Sequence, residues 1–155
     1  FTGGIINGFQ EVLSSVVVLA AFIPMLMDTG GNCGSQSSTL VIRGLALGEI
    51  RPRDALRVLK KELAVSLLCG AALAAVNFGR ILLFEPQTGA AVALAVSLSL
   101  LVTVMVSKCL GCLLPIAASR LGMDPAVMAS PLITTVVDAV SLLVYFGFAR
   151  AILGI

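Results

Sequence analysis

The 155-residue chain carries little charge for its length, since 12% of its residues are charged and 59% are hydrophobic. Soluble domains carry about 25% charged residues, so a soluble fold of this size would lack the charges to cover its surface. With a mean hydropathy of +1.10, the composition predicts an all-α integral membrane protein and excludes a soluble domain. The chain has no histidine, which excludes Ser-His, Cys-His and His-metal sites.

We predict one transmembrane domain, residues 1–155, built as a bundle of four full transmembrane helices. The opening FTGGII could be the stub of a further N-terminal helix. The first span, residues 9–48, is too long for one simple crossing of ~20 residues. We expect Pro24 and Gly30–Gly31 to interrupt or loosen it. The later spans are predicted at residues 63–84, 89–121 and 130–153.

A basic connection, residues 49–62, follows the first span and holds five of the ten basic residues of the chain. By the positive-inside rule this connection is cytoplasmic, the connection EPQTG is external, and the C-terminus is extracytoplasmic. The predicted location is the cell (inner) membrane, with several crossings. We interpret the basic residues as a topology determinant, while contacts with a regulatory domain or with anionic lipid stay open. Nucleic-acid binding is not expected next to a membrane span.

The last span carries a polar stripe on an otherwise apolar helix. Its members follow one another at helical spacing: Ser130, Thr134, Asp138, Ser141 and Tyr145. A carboxylate within the membrane costs several kcal/mol and marks a functional site. No basic residue of the same helix lies near the depth of Asp138. The stripe therefore favours a water-filled pathway over a plain helix–helix contact.

The first span carries a matching stripe with the same spacing: Asp28, Asn32, Gln36, Thr39 and Arg43. Its glycines allow either close helix packing or an unwound backbone with free carbonyl oxygens. The ligands that these two stripes offer are hard oxygen atoms, which suit Mg²⁺ or Ca²⁺ and not Zn²⁺ or copper. A symmetric dimer would present Asp138 twice. We therefore expect a pore at a homodimer axis.

Two long runs of the chain resemble a known family. FIPMLMDTGGNCGSQSSTLVIRGLALGEI, residues 22–50, closely resembles the second transmembrane helix of the MgtE family of magnesium channels. ASPLITTVVDAVSLLVYF, residues 129–146, resembles the fifth helix of that family. The resemblance implies a homodimer in the lipid bilayer that moves hydrated Mg²⁺ through a pore on the two-fold axis. Transport of Mn²⁺ or Co²⁺ stays open.

The resemblance also implies which residues meet the ion. The ion-site aspartate of the family falls on Asp138, and a backbone contribution one turn earlier falls on Thr134. The G-G-N that borders the pore falls on Gly31 and Asn32. With the stripes described above, the remaining pore-lining residues are expected to be Asp28, Gln36, Thr39, Ser130 and Ser141. Family members usually carry a cytoplasmic magnesium-sensing region before the first helix, and we expect that region to be absent from this chain.

Two alternative functions stay open. Asp28 lies in an Asp-Thr-Gly triplet, so Asp28 and Asp138 could form the carboxylate pair of an intramembrane aspartyl protease. Protonation of Asp138 could instead drive a proton-coupled cation carrier, although no internal repeat is visible. Because the Asp-Thr-Gly triplet of soluble proteases belongs to a β-rich fold, we favour transport and expect that the chain is not an enzyme.

Overall fold

A computed structural model of the protein describes residues 2–8, 17–128 and 130–154. Every regular element within these ranges is a helix, which confirms the predicted all-α fold. Residues 9–16 of the predicted first span lie outside the described ranges, and so does the side chain of Ser130.

Within the described ranges the chain forms one short α-helix and four long ones. Their bounds are α1 Thr2–Gly8, α2 Ile23–Ala46, α3 Ala55–Phe84, α4 Ala90–Arg120 and α5 Ser130–Leu153. The four long helices are long and apolar enough to cross a membrane. The short helix α1 has seven residues.

Short 3₁₀ helices occupy the segment before α2 and the three connections between the long helices. Pro52–Asp54 and Pro125–Met128 lie at one end of the bundle, where the Arg120 guanidinium donates two hydrogen bonds, 3.1 and 2.6 Å long, to the Pro52 carbonyl oxygen. Pro86–Thr88 lies at the other end. The two connections that we predict to be cytoplasmic therefore share one end of the molecule.

Helix α2 runs without a break from Ile23 to Ala46, so the predicted interruption at Gly30–Gly31 is wrong. Pro24 stands in the first turn of the helix, where its missing N–H breaks no hydrogen bond. The type of helix changes just before Pro24, from the 3₁₀ helix Val17–Phe22 to the α-helix α2. A glycine costs a helix about 1 kcal/mol, and the close packing of these glycines outweighs that cost.

Helix α4 is the centre of the bundle and packs against α2, α3 and α5. The main core lies among α2, α4, α5 and Val17–Phe22, and its largest buried side chains include Tyr145, Phe146, Leu19 and Leu26. Helix α3 lies at the periphery and exposes many large apolar side chains, such as Leu68, Val76 and Leu83. Such a surface would be unfavourable in water and is suited to contact with lipid.

Candidate functional site

Helix α2 approaches α4 and α5 so closely that only glycine fits at the contacts. A Cβ atom added to Gly30 would lie 2.8 Å from Ser141 Oγ and 2.9 Å from Thr103 Cγ2. A Cβ atom on Gly111 of α4 would overlap the backbone carbonyl of Gly34. Of the two predicted roles for the α2 glycines, close packing is therefore the one that the structure supports.

The opposite face of α2 is polar and exposed. One cavity of about 530 Å³ is lined there by Asn32, Ser35, Gln36, Thr39 and Leu40. A second cavity of about 200 Å³ lies between α2 and α5 and is lined by Met27, Asp28, Gly31, Asn32, Thr134 and Asp138. Asn32 lines both cavities. The two cavities therefore adjoin at Asn32, and we call the residues that line them the polar groove.

All four residues predicted to meet the ion line the smaller cavity: Gly31, Asn32, Thr134 and Asp138. Gly31 keeps the cavity open, because a Cβ atom there would lie 3.3 Å from Thr134 Cγ2 and 3.9 Å from Asp138 Oδ1. The Thr134 hydroxyl donates a 3.1 Å hydrogen bond to the Pro131 carbonyl oxygen. The polar faces predicted for α2 and α5 therefore meet at the contact between these two helices.

Asp28 and Asp138 place two carboxylates in the same cavity. Neither accepts a side-chain hydrogen bond from the residues that the structure describes. Two like charges at one site repel, and a cation between them relieves the repulsion. One water molecule needs roughly 10–15 Å³ of cavity space, so the cavity of about 200 Å³ has room for an ion together with water molecules.

The described part of the chain holds no group of three or more acidic or cysteine side chains that could enclose a metal ion. Mg²⁺ gives up its water reluctantly and is often held by one or two carboxylates. The sparse donors of the polar groove match that behaviour.

Ser141, which is predicted to line the pore, does not line the polar groove of the single subunit. Its side chain is 1% exposed and donates a 2.7 Å hydrogen bond to the Val137 carbonyl oxygen. Tyr145 is buried as well, and its hydroxyl donates a 2.9 Å hydrogen bond to the Leu19 carbonyl oxygen. Helix α2 covers Ser141 at Gly30, and the segment Val17–Phe22 packs against Tyr145. Among the stripe residues whose side chains the structure describes, Thr134 and Asp138 line the groove.

Sequence reasoning missed a buried cluster of three residues from three helices. The Ser37 hydroxyl of α2 donates a 2.6 Å hydrogen bond to Glu62 Oε2 of α3. Lys108 Nζ of α4 lies 3.3 Å from Ser37 Oγ and 3.5 Å from Glu62 Oε2. The side chains of Lys108 and Glu62 are 10% and 12% exposed. The sequence feature that could have indicated this cluster is Lys108, a basic residue in the middle of an apolar span.

Comparison with known proteins identifies the family. Residues 23–148 match the MgtE model, which is described as a divalent cation transporter. The chain belongs to the MgtE family. It is 40% identical to the magnesium transporter MgtE of Thermus thermophilus, a match that covers 98% of this chain and 33% of the relative. It is 37% identical to the magnesium transporter MgtE of Bacillus subtilis, over 97% of this chain and 33% of the relative.

The chain thus spans about a third of the length of these curated MgtE relatives. Together with four helices of spanning length and apolar composition, membership in the MgtE family makes it a multi-pass membrane protein. MgtE relatives are transporters, in agreement with the expectation that the chain is not an enzyme. Asp28 and Asp138 do share a cavity, but the family does not favour their interpretation as a protease pair.

Proposed function

We propose that this chain forms the ion pathway of a magnesium transporter and that hydrated Mg²⁺ moves along the polar groove. The observation that carries the proposal is the cavity where Asp28 and Asp138 meet the amide of Asn32. It lies in a chain whose MgtE relatives are named magnesium transporters. Carboxylate, amide and hydroxyl oxygens attract a hydrated divalent cation without having to strip its water.

A second copy of the chain completes the pathway in this proposal. The polar groove lies on the outside of a single subunit, where contact with lipid would leave polar groups without hydrogen bonds. Two copies related by a two-fold axis would face each other across the groove and present Asp138 twice. The exposure of Asp28, Asn32, Gln36 and Thr39 on one subunit supports this arrangement.

The orientation and the regulation belong to the same proposal. The basic residues of the segment 51–61 and Arg120 lie at one end of the bundle, which supports a cytoplasmic location of that end and an extracytoplasmic C-terminus. The matched relatives are about three times as long as the chain. A cytoplasmic regulatory domain acting on this part is therefore included in the proposal, together with the cell membrane as its location.

Uptake of Mg²⁺ into proteoliposomes tests the proposal. We expect Asp138→Asn to lower the initial rate at least 100-fold while the protein stays folded and dimeric by size-exclusion chromatography with light scattering. Asp124→Asn is the matched control, because Asp124 is exposed in a connection, and we expect it to transport at the normal rate. A near-normal rate for Asp138→Asn would contradict the proposal.

Two further measurements determine the ion selectivity and distinguish a channel from a coupled carrier. Competition by Mn²⁺ and Co²⁺ during uptake reports the selectivity of the groove. Resolved single-channel currents from the reconstituted dimer would establish a channel, whereas uptake that requires a proton gradient would establish a coupled carrier.

A further inference from the structure

None of the three residues of the Ser37–Glu62–Lys108 cluster lines the polar groove, but Glu62 lines an adjoining cavity of about 360 Å³ that shares Leu40 with the groove. Ser37 follows Gln36, which lines the polar groove, and consecutive Cα atoms are about 3.8 Å apart. Lys108 Nζ lies 3.3 Å from Ser37 Oγ. A positive charge is therefore placed within a few ångströms of the backbone that carries the groove.

Glu62 is the ion-pair partner of Lys108 among the residues that the structure describes. The pair is nearly buried, and charges in such surroundings act over longer distances than in water because little solvent screens them. An uncompensated ammonium group at this position would repel a cation in the groove, and it would repel a divalent cation twice as strongly as a monovalent one. The Glu62 carboxylate compensates this positive charge, because its Oε2 atom lies 3.5 Å from Lys108 Nζ.

Glu62 also fixes the backbone of the groove. Its Oε2 atom accepts the 2.6 Å hydrogen bond from Ser37, which ties α2 to α3. The same atom faces Lys108 of α4. A buried ion pair is weak evidence for stability, since replacing both partners by apolar residues is often neutral. Stability alone therefore does not account for two charges that are 10% and 12% exposed.

We propose that Glu62 is a charge-compensating positioning residue for cation passage: it cancels the charge of Lys108 behind the polar groove and anchors α2 through Ser37. The inference rests on the proposed transport function. It acts through the electrostatic potential in the groove and not through contact with the ion.

Three variants in the natural full-length chain test the inference: Glu62→Gln, Lys108→Met and the double variant. We expect Glu62→Gln to lower the initial Mg²⁺ uptake rate at least tenfold and to raise the half-saturating Mg²⁺ concentration. Lys108→Met should lower that concentration about threefold, because the carboxylate is then unpaired. The double variant should return the rate to within threefold of the unmodified protein.

A purely structural cluster would give a different pattern. All three variants would then follow the amount of folded protein, and the double variant would be at least as impaired as Glu62→Gln. Rates are therefore normalised to folded dimer. Glu85→Gln is the matched control, since it breaks the more exposed Arg80–Glu85 pair, 2.8 Å long, at the other end of the bundle, and it should leave uptake unchanged.

Three results would overturn the inference: a normal rate for Glu62→Gln, no recovery in the double variant, or an unchanged half-saturating concentration for Lys108→Met. The last measurement decides the question if Glu62→Gln does not fold. Asp138→Asn, measured in parallel, keeps the two proposals apart. If Asp138→Asn abolishes uptake and the double variant does not recover, the role of Glu62 fails and the proposed function stands.

Discussion

The two faces of α2 contrast in how they are packed, although both are built from small and polar residues. The groove face exposes Asp28, Asn32 and Gln36, which find no close packing within one subunit. The back face buries Gly30 and Gly34 against α4 and α5, where an added Cβ atom would lie 2.8 Å from Ser141 Oγ and 3.0 Å from Ile133 Cγ2. The back face holds the helix in place, and the groove face can then remain polar and open.

The largest expected effect comes from breaking the packed face with Gly111→Ala. The added Cβ atom would overlap the Gly34 carbonyl, and two backbones cannot move aside as a flexible side chain can. Overpacking of this kind costs roughly 1–3 kcal/mol and occasionally more, so we expect the melting temperature measured in detergent to fall steeply.

The matched control for this substitution is Gly79→Ala in α3. A Cβ atom at Gly79 meets nothing within 4 Å, and alanine is the better helix former by about 1 kcal/mol. We expect the melting temperature of Gly79→Ala to be unchanged or higher. We expect that of Gly111→Ala to be much lower. Equal melting temperatures would show that α2 and α4 are not in tight backbone contact.

The next largest effect comes from making the groove face apolar with Gln36→Leu. Gln36 is exposed and lines the larger cavity, so its loss removes donors and acceptors for the water of a passing ion. We expect Mg²⁺ uptake to fall about tenfold, which equals about 1.4 kcal/mol, while the melting temperature stays within a degree or two. Gln87→Leu in the connection between α3 and α4 is the control, and uptake should be normal there.

Gly31→Ala tests the boundary between the two faces. Its Cβ atom would lie 3.3 Å from Thr134 Cγ2, and Thr134 must give by a few tenths of an ångström. We expect uptake to fall about threefold with little loss of stability, because the new methyl group narrows the cavity next to Asp138. A stability loss as large as that of Gly111→Ala would place Gly31 on the packed face instead.

The smallest effect is expected for Tyr145→Phe on the packed side of α5. The substitution removes the 2.9 Å hydrogen bond to the Leu19 carbonyl oxygen and leaves the ring in place. Hydrogen bonds between membrane helices contribute about 0.6 kcal/mol on average, so we expect a small fall in the melting temperature. Uptake should not change, because Tyr145 does not reach the groove.

The spans and the groove face of α2 could be predicted from the sequence because both depend on local pattern. Length and apolar composition indicate a membrane helix, and the spacing of Asp28, Asn32, Gln36 and Thr39 places them on one side. Asp138 was predicted to meet the ion for two reasons. A carboxylate within a membrane span is rare, and the ion-site aspartate of the family falls on this residue.

The burial of Ser141 and the Ser37–Glu62–Lys108 cluster could not be predicted in this way. Spacing gives the angular position of a residue on its own helix, but it does not say which neighbour covers that position. Ser141 is covered because α2 comes close at Gly30, and the cluster exists because three helices meet. The continuity of α2 through Gly30–Gly31 was likewise decided by packing, which outweighs local helix propensity.

The lengths of α3 and α4 have a consequence for the choice of membrane. They contain 30 and 31 residues, so each is roughly 45 Å long at 1.5 Å per residue. The hydrocarbon layer is about 30 Å thick, and the first two turns of α3 carry Arg57, Lys60 and Lys61. A helix longer than the hydrocarbon layer is accommodated by tilting, by kinking or by a locally thicker bilayer. Because α2 and α3 both pack on α4, we expect the bundle to respond to bilayer thickness as a unit.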